Sequence, residues 1–188
     1  MEYSKMQRLF VGLSIPADIR ARLHLLKEDM AGARWTPLEN YHITLAYIGE
    51  ADETFEKDTR AALAAVSQEV FSLTLKGMGS FAQAEDADVL WAGVEKNAAL
   101  SLLKEKICKA LEERNVPFDK RPYAPHVTLA RFRDANKESV ARFMREQSAF
   151  MAGPFDVKSF MLYNSHVADN GPVYKELEAY PLMLPQIS

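Results

Sequence analysis

The pentapeptide pattern His-x-Thr-Leu-Ala occurs twice in this chain, at His42–Ala46 and again 84 residues later at His126–Ala130. Four histidines and six threonines among 188 residues predict about 0.13 His-x-Thr pairs by chance, so the duplication marks an internal repeat. Both copies sit in β-rich runs, "YHITLAYIG" and "HVTLARF". Side chains alternate between faces along a strand. His42, Thr44 and Ala46 are therefore expected on one face, with Ile43, Leu45 and Tyr47 on the other. The second copy sorts the same way, His126, Thr128 and Ala130 against Val127 and Leu129. The aliphatic sets read as core faces. If the two strands belong to lobes related by an approximate two-fold, the two His-Thr pairs can face each other across a groove.

Periodicity around the repeat alternates strands with helices. "RLFVGLSIP" is a strand closed by proline, and Ile19, Leu23, Leu26 and Met30 trace the apolar stripe of a helix. Asp52 is a candidate N-cap for a second helix with stripe Phe55, Thr59, Ala62 and Val66. "VFSLTLKGMGSF" and "VLWAGVE" read as adjacent antiparallel strands separated by the polar loop "AQAEDAD". Leu100, Leu103, Ile107 and Leu111 mark a third helix; Val140, Phe143 and Gln147 mark a weaker fourth. "FDVKSFMLYNSHV" and "PVYKELEAYPLML", hinged at "DNG", read as a closing hairpin. Seven strands and four helices in this order predict an α+β fold rather than a doubly wound parallel sheet. No composition break divides the chain, so residues 1–188 are expected to form a single two-lobed domain.

The residue types suggest a chemistry. Cleaving a phosphodiester without metal requires one group to take a proton from water and another to give a proton to the leaving oxygen. Two imidazoles, with ordinary pKa near 6.5, suit these tasks. Two threonine hydroxyls can hydrogen-bond the non-bridging phosphate oxygens during in-line attack. Lys120, Arg121, Arg131 and Arg133 crowd the second motif, offset by Asp119 and Asp134, and Arg34 precedes the first in "GARWTP".

A lone strand histidine is ordinarily structural, but the repeat argues against that here. The motif is His-x-Thr rather than His-x-His, and no compact cluster supplies a third metal ligand, so no metal is expected. His24 falls between the apolar positions of the first helix and reads as a solvated or boundary residue, and His166, at a hairpin end, as loop or rim. "KGMGSF" lacks the Gly-Lys-Ser/Thr ending of a phosphate loop and reads as strand and turn. Cys108, the single cysteine, lies in a helical stripe, where burial argues against a nucleophile. It also precludes an internal disulfide and fits a reducing cytoplasm. "MEYSKMQRLF" shows no secretory pattern, and no apolar run reaches the roughly 20 residues that span a bilayer. With a net charge of −3 and a pI near 5.9, a protein coating nucleic acid by bulk charge is excluded; anions must be held by a local cluster.

"HITLAYIG" and "HVTLAR" resemble the two signature motifs of the two-histidine phosphoesterase superfamily. The chain is most similar there to the LigT-like RNA 2',3'-cyclic phosphodiesterases, long named 2'-5' RNA ligases. The resemblance extends over nearly the whole chain, from "RLFVGLSIP" through "RWTPLENYHITLAYIGE" and "RPYAPHVTLARF" to "YKELEAYPL". It implies a bilobal α+β fold, two pseudo-symmetric antiparallel lobes with helices outside and a central cleft. It further implies metal-independent opening of a 2',3'-cyclic phosphate on RNA to a 2'-phosphate. His42 matches the proton donor to the leaving 3'-oxygen, His126 the base, Thr44 and Thr128 the phosphate-binding threonines, and Arg131 the arginine closing the second motif. The symmetry of the motifs by itself permits the reverse assignment of acid and base. Strict alternation puts Arg131 on the face opposite His126, so it reaches phosphate only through a strand end or bulge. Tyr47 stands where the family usually carries an apolar aromatic. The expectation is thus a cytoplasmic, monomeric enzyme acting on RNA ends, with no cofactor. The alternatives are hydrolysis or ligation of 2'-5' linkages, a small nucleotide cyclic phosphate as substrate, or a non-catalytic RNA-end or nucleotide-binding module.

Overall fold

The computed structural model describes residues 6–81, 89–122, 124–132, 137–168 and 171–184. In chain order the elements are β1 (Gln7–Ser14), α1 (Ala17–His24), β2 (Ala33–Trp35), a 3-10 turn (Leu38–Asn40), β3 (His42–Ala51) and α2 (Glu53–Ala64). Next come β4 (Phe71–Phe81), β5 (Val89–Val94), α3 (Ala98–Glu113), β6 (His126–Phe132) and α4 (Lys137–Glu146), and the chain closes with β7 (Met151–Val157), β8 (Ser159–Ala168) and β9 (Gly171–Pro181). The fold is α+β.

The described strands form one nine-stranded sheet in the order β7-β4-β5-β6-β3-β1-β8-β9, with β2 joined to β6, and every strand pair is antiparallel. The two lobes expected from the repeat are therefore halves of a continuous sheet. They meet where β3 and β6 touch through a narrow contact, Ile43 opposite Val127. A pseudo-two-fold through this seam pairs β3 with β6, β1 with β5, β8 with β4 and β9 with β7. In each half a strand and a helix precede the histidine strand, β5-α3-β6 directly and β1-α1-β3 with β2 and the 3-10 turn inserted before β3.

Two elements differ from the sequence expectation. "FDVKSFMLYNSHV" is not one strand: β7 pairs with β4 at one sheet edge, while β8 pairs with β1 in the other half, with Lys158 between them. Connecting a sheet edge to the opposite half in one residue requires the sheet to curl. Backbone bonds from Leu182 N to Lys158 O (2.8 Å), Val70 N to Met183 O (2.9 Å) and Met183 N to Gln68 O (2.9 Å) tie that end together. Helix α1 stops at His24, short of Met30, because the chain must turn to form β2, which no periodicity announces; Met30 is nevertheless buried at 6% exposure. The "AQAEDAD" loop and the Asp169 and Asn170 of the hinge lie outside the described residues.

Local signals set the helices. The Asp52 carboxylate accepts from Phe55 N at 2.9 Å and the Asn97 side-chain oxygen Oδ1 from Leu100 N at 2.9 Å, each satisfying an orphan donor of a first turn. Leu100, Leu103, Ile107 and Leu111 of α3 join Leu9, Val11, Leu13, Ile43, Leu45, Val127 and Leu129 in one buried cluster spanning both halves. The aliphatic faces of the histidine strands are thus committed to the core, which turns their His-Thr faces outward.

Candidate active site

The two histidine strands carry the same exposure pattern. His42 and His126 are half-buried, Ile43 and Val127 buried, Thr44 and Thr128 half-buried. Then two residues in a row are buried, Leu45-Ala46 and Leu129-Ala130, and Tyr47 and Arg131 are exposed. A β-bulge causes the break in alternation. Opposite β1, the register steps from Gly12↔Thr44 to Val11↔Ala46; opposite β5, it steps from Trp91↔Thr128 to Leu90↔Ala130. One extra residue, Leu45 in one strand and Leu129 in the other, re-aims the two residues that follow it. Tyr47 and Arg131 therefore face the groove, while Ala46 and Ala130 turn into the core. This corrects the simple alternation for three residues and supplies the bulge that Arg131 needed. Lys104 of α3 donates to the carbonyl of the bulged Leu45 at 3.0 Å.

Both imidazoles are fixed the same way. His42 Nδ1 lies 2.7 Å from Asn40 O, and His126 Nδ1 lies 2.7 Å from Ala124 O. A carbonyl only accepts, so each Nδ1 carries hydrogen and each Nε2 is the nitrogen left for the groove. Asn40 is itself buried, and its side-chain amide donates to Pro172 O at 2.7 Å, anchoring the turn before His42 to β9.

Aromatic rings wall both histidines. Phe10 and Tyr174 lie with ring centroids 4.9 Å from that of His42, and Phe81 lies 5.1 Å from His126 with Trp91 at 6.0 Å. Burial pushes His42 from an ordinary 6.5 down to about 4, outweighing the Asn40 bond that favours its charged form; His126 and Arg131 push the same way. His126 is lowered too, first by burial, with Arg131 adding to it and the Ala124 bond opposing. The ordinary values near 6.5 expected from sequence thus do not hold in the free protein.

The groove has two limbs that share Thr44, Tyr47, His126, Thr128 and Arg131. The limb of about 420 Å³ also reaches His42, Arg8 and Arg34, and no carboxylate lines it among the described residues. The limb of about 480 Å³ runs past Phe81, Lys104 and Arg121. All five residues singled out by sequence, His42, Thr44, His126, Thr128 and Arg131, line the first limb together. The other cations of the expected basic patch divide. Arg34 joins the groove, but Lys120 bonds Glu112 at 2.8 Å, and Arg121 bonds Asp119 at 2.7 Å and holds that carboxyl below its usual range. Arg133 and Asp134 lie outside the described residues.

Sequence reasoning missed Arg8, Phe10, Tyr47 and Tyr174. Arg8 shares a strand face with Phe10 and Gly12, a signal that was present in "RLFVG"; Tyr174 comes from β9 and had none. "KGMGSF" lies within β4, with a bulge at Gly77 (φ +73°) instead of a turn. His166 is an exposed residue of β8, and Cys108 is half-buried, its Sγ 3.4 Å from Lys104 Nζ. Among the described residues no three His, Cys, Asp or Glu side chains gather, and no helix is long and apolar enough to cross a membrane.

Paired imidazoles with free Nε2 atoms, hydroxyls beside them and guanidinium groups around them can hold a phosphate ester and move protons on either side of it. Such a cleft at the seam of a pseudo-symmetric sheet has the layout of a phosphoesterase. Residues 16–169 match the 2'-5' RNA ligase superfamily, and the chain belongs to that superfamily. It is 30% identical over 176 residues to the RNA 2',3'-cyclic phosphodiesterase of Archaeoglobus fulgidus, covering 92% of this chain and 99% of that one. Its identity to the protein of the same name from Aeropyrum pernix is 33% over 141 residues, 74% and 80% of the two chains. Among solved structures, Escherichia coli LigT in its apo form superposes with a TM-score of 0.75 at 27% identity, covering 95% of this chain and 99% of that one. LigT complexed with 3'-AMP gives 0.74 at 26%, with the same coverage.

Proposed function

We propose that this protein hydrolyses RNA ends bearing a 2',3'-cyclic phosphate to 2'-phosphates, with His42 and His126 as its acid–base pair and no metal ion in the reaction. The observation that carries the reading is the shared latch. Two like-patterned strands each hold a histidine through Nδ1 and leave Nε2 for the same groove. The name borne by the relatives from Archaeoglobus fulgidus and Aeropyrum pernix supports the substrate.

In the proposed step, His126 Nε2 takes a proton from water as the water oxygen attacks phosphorus. The P–O3' bond breaks, and His42 Nε2–H delivers its proton to the departing 3'-oxygen. The product is a 2'-phosphomonoester beside a free 3'-hydroxyl. Thr44, Thr128 and Arg131 hydrogen-bond the non-bridging oxygens as charge shifts onto them. His42, lowered to about 4, is mostly neutral at pH 7 in the free protein. An anionic phosphate arriving in a low-dielectric groove favours the imidazolium, so with substrate bound His42 takes up a proton from solvent. A depressed pKa also makes the protonated form a stronger donor to an alkoxide leaving group.

A turnover assay on a dinucleotide ending in 2',3'-cyclic phosphate tests this reading. Hydrolysis is expected to proceed undiminished in EDTA. Loss of turnover in chelator, restored by zinc or manganese, would contradict the metal-free step; no turnover at all would leave a binding module.

A further inference from the structure

The first groove limb holds more positive charge than one phosphate requires. Arg34 of β2 sits directly opposite Arg131 of β6 in the ladder, and both line the limb. Like charges at directly opposed positions destabilise a sheet. No carboxylate among the described residues lining the limb relieves this pair. Arg8 adds a third guanidinium. It lies four residues along β1 from Gly12, the partner of Thr44, so roughly 13 Å from the threonine level at about 3.3 Å per residue. Its ion pair with Glu50 is long, 3.5 Å, and both side chains are about half exposed or more, 49% and 66%, so that carboxylate answers little of its charge. In the other limb Arg121 is already occupied by Asp119. Once Arg131 is assigned to the reacting phosphate, the charges of Arg34 beside it and of Arg8 farther along β1 are left without an anion in this limb.

We propose that Arg8 and Arg34 hold a second phosphate of the substrate, the internucleotide phosphodiester that precedes the cyclic end. The groove is then fitted to the end of an oligonucleotide strand rather than to a lone cyclic nucleotide. This rests on the cyclic phosphodiesterase reading above and deepens it. A second phosphate could also come from the 5' position of a mononucleotide; the chemistry recognised is the same, and substrate choice separates the two.

The experiment compares kcat/KM for a nucleoside 2',3'-cyclic phosphate, its 5'-phosphorylated form, and a dinucleotide with a cyclic end, at several salt concentrations. The dinucleotide is expected to be favoured about tenfold over the nucleoside, as for a hydrogen bond to a charged group. Its salt slope should be steeper by about 0.7 for the added single-strand phosphate contact. Arg8→Gln and Arg34→Gln should each shrink that preference and flatten the slope, whereas Arg34→Lys, which keeps the charge, should retain the slope. Calorimetric binding of the corresponding 2'-phosphate products carries the same comparison without turnover. A protein inert on every cyclic phosphate would therefore sink the activity reading while still testing this one. Equal affinities and slopes for nucleoside and dinucleotide ligands would overturn the proposal, as would Arg→Gln variants that weaken both by one factor. An equal gain from the 5'-phosphorylated mononucleotide would overturn the assignment to the strand.

Discussion

His42 is the residue whose surroundings say most about chemistry. Phe10 and Tyr174 lie against its ring, Asn40 O holds its Nδ1, and burial takes its pKa to about 4. If His42 is the acid and His126 the base, the productive form of the free protein has the group of strongly lowered pKa charged and its partner neutral. The kcat/KM profile should then be bell-shaped, with both limbs below 6.5 and an optimum on the acid side of neutrality. The kcat profile, which reports the bound complex, should move upward as the phosphate anion raises His42. An optimum in kcat/KM above pH 7.5, outside the window in which unperturbed histidines exchange roles, would show that the walls of rings do not set these pKa values. The division of roles has its own test, a substrate whose 3'-leaving group needs no proton. It should rescue His42→Ala but not His126→Ala; the opposite pattern reverses the assignment.

The matched bulges at Leu45 and Leu129 decide what the groove contains. Without them Arg131 and Tyr47 would point into the core, and Ala46 and Ala130 would line the cleft. His-x-Thr was legible because alternation before the bulge is regular. The bulges were not legible, since "TLAY" and "TLAR" carry no glycine or other local mark of an extra residue, and the pairing strand decides where one is absorbed. Asp52 as an N-cap was readable for the contrary reason: its bond to Phe55 N is local in sequence. Gly79 shows how a neighbouring strand shapes the site. A Cβ there would collide with the Trp91 ring, which packs near His126. Gly79→Ala should displace the indole, cost about 1–3 kcal/mol of stability as overpacking does, and lower turnover through His126. Chemical denaturation and steady-state kinetics measure the two effects; a variant unchanged in both would show that the contact with Trp91 positions nothing.

Across the whole molecule, one continuous sheet folded about the β3–β6 seam turns a sequence repeat into a symmetric cleft. The repeat predicted two halves; it did not reveal that they share a sheet, because that depends on β7 and β8 separating at Lys158, inside what reads as one apolar strand. Burial of the histidines also has a global consequence. The folded pKa values of His42 and His126 lie below the unfolded value near 6.5, so between pH 6.5 and about 4 the unfolded chain binds more protons than the folded one. Their contribution to stability is complete above pH 6.5 and is lost as pH falls through that window. Denaturation midpoints of the wild type should drop across it, and His42→Gln should drop less; equal drops would place the acid sensitivity elsewhere. The central claim, that the two latched histidines together open a cyclic phosphate, is tested most directly by ³¹P NMR of a dinucleotide 2',3'-cyclic phosphate incubated in EDTA with the wild type and with His42→Ala/His126→Ala. The cyclic resonance should give way to a single 2'-phosphomonoester with the wild type. With the double variant it should persist at least about 10²–10⁴ times longer. A 3'-phosphate product, or a double variant as fast as the wild type, would contradict the account.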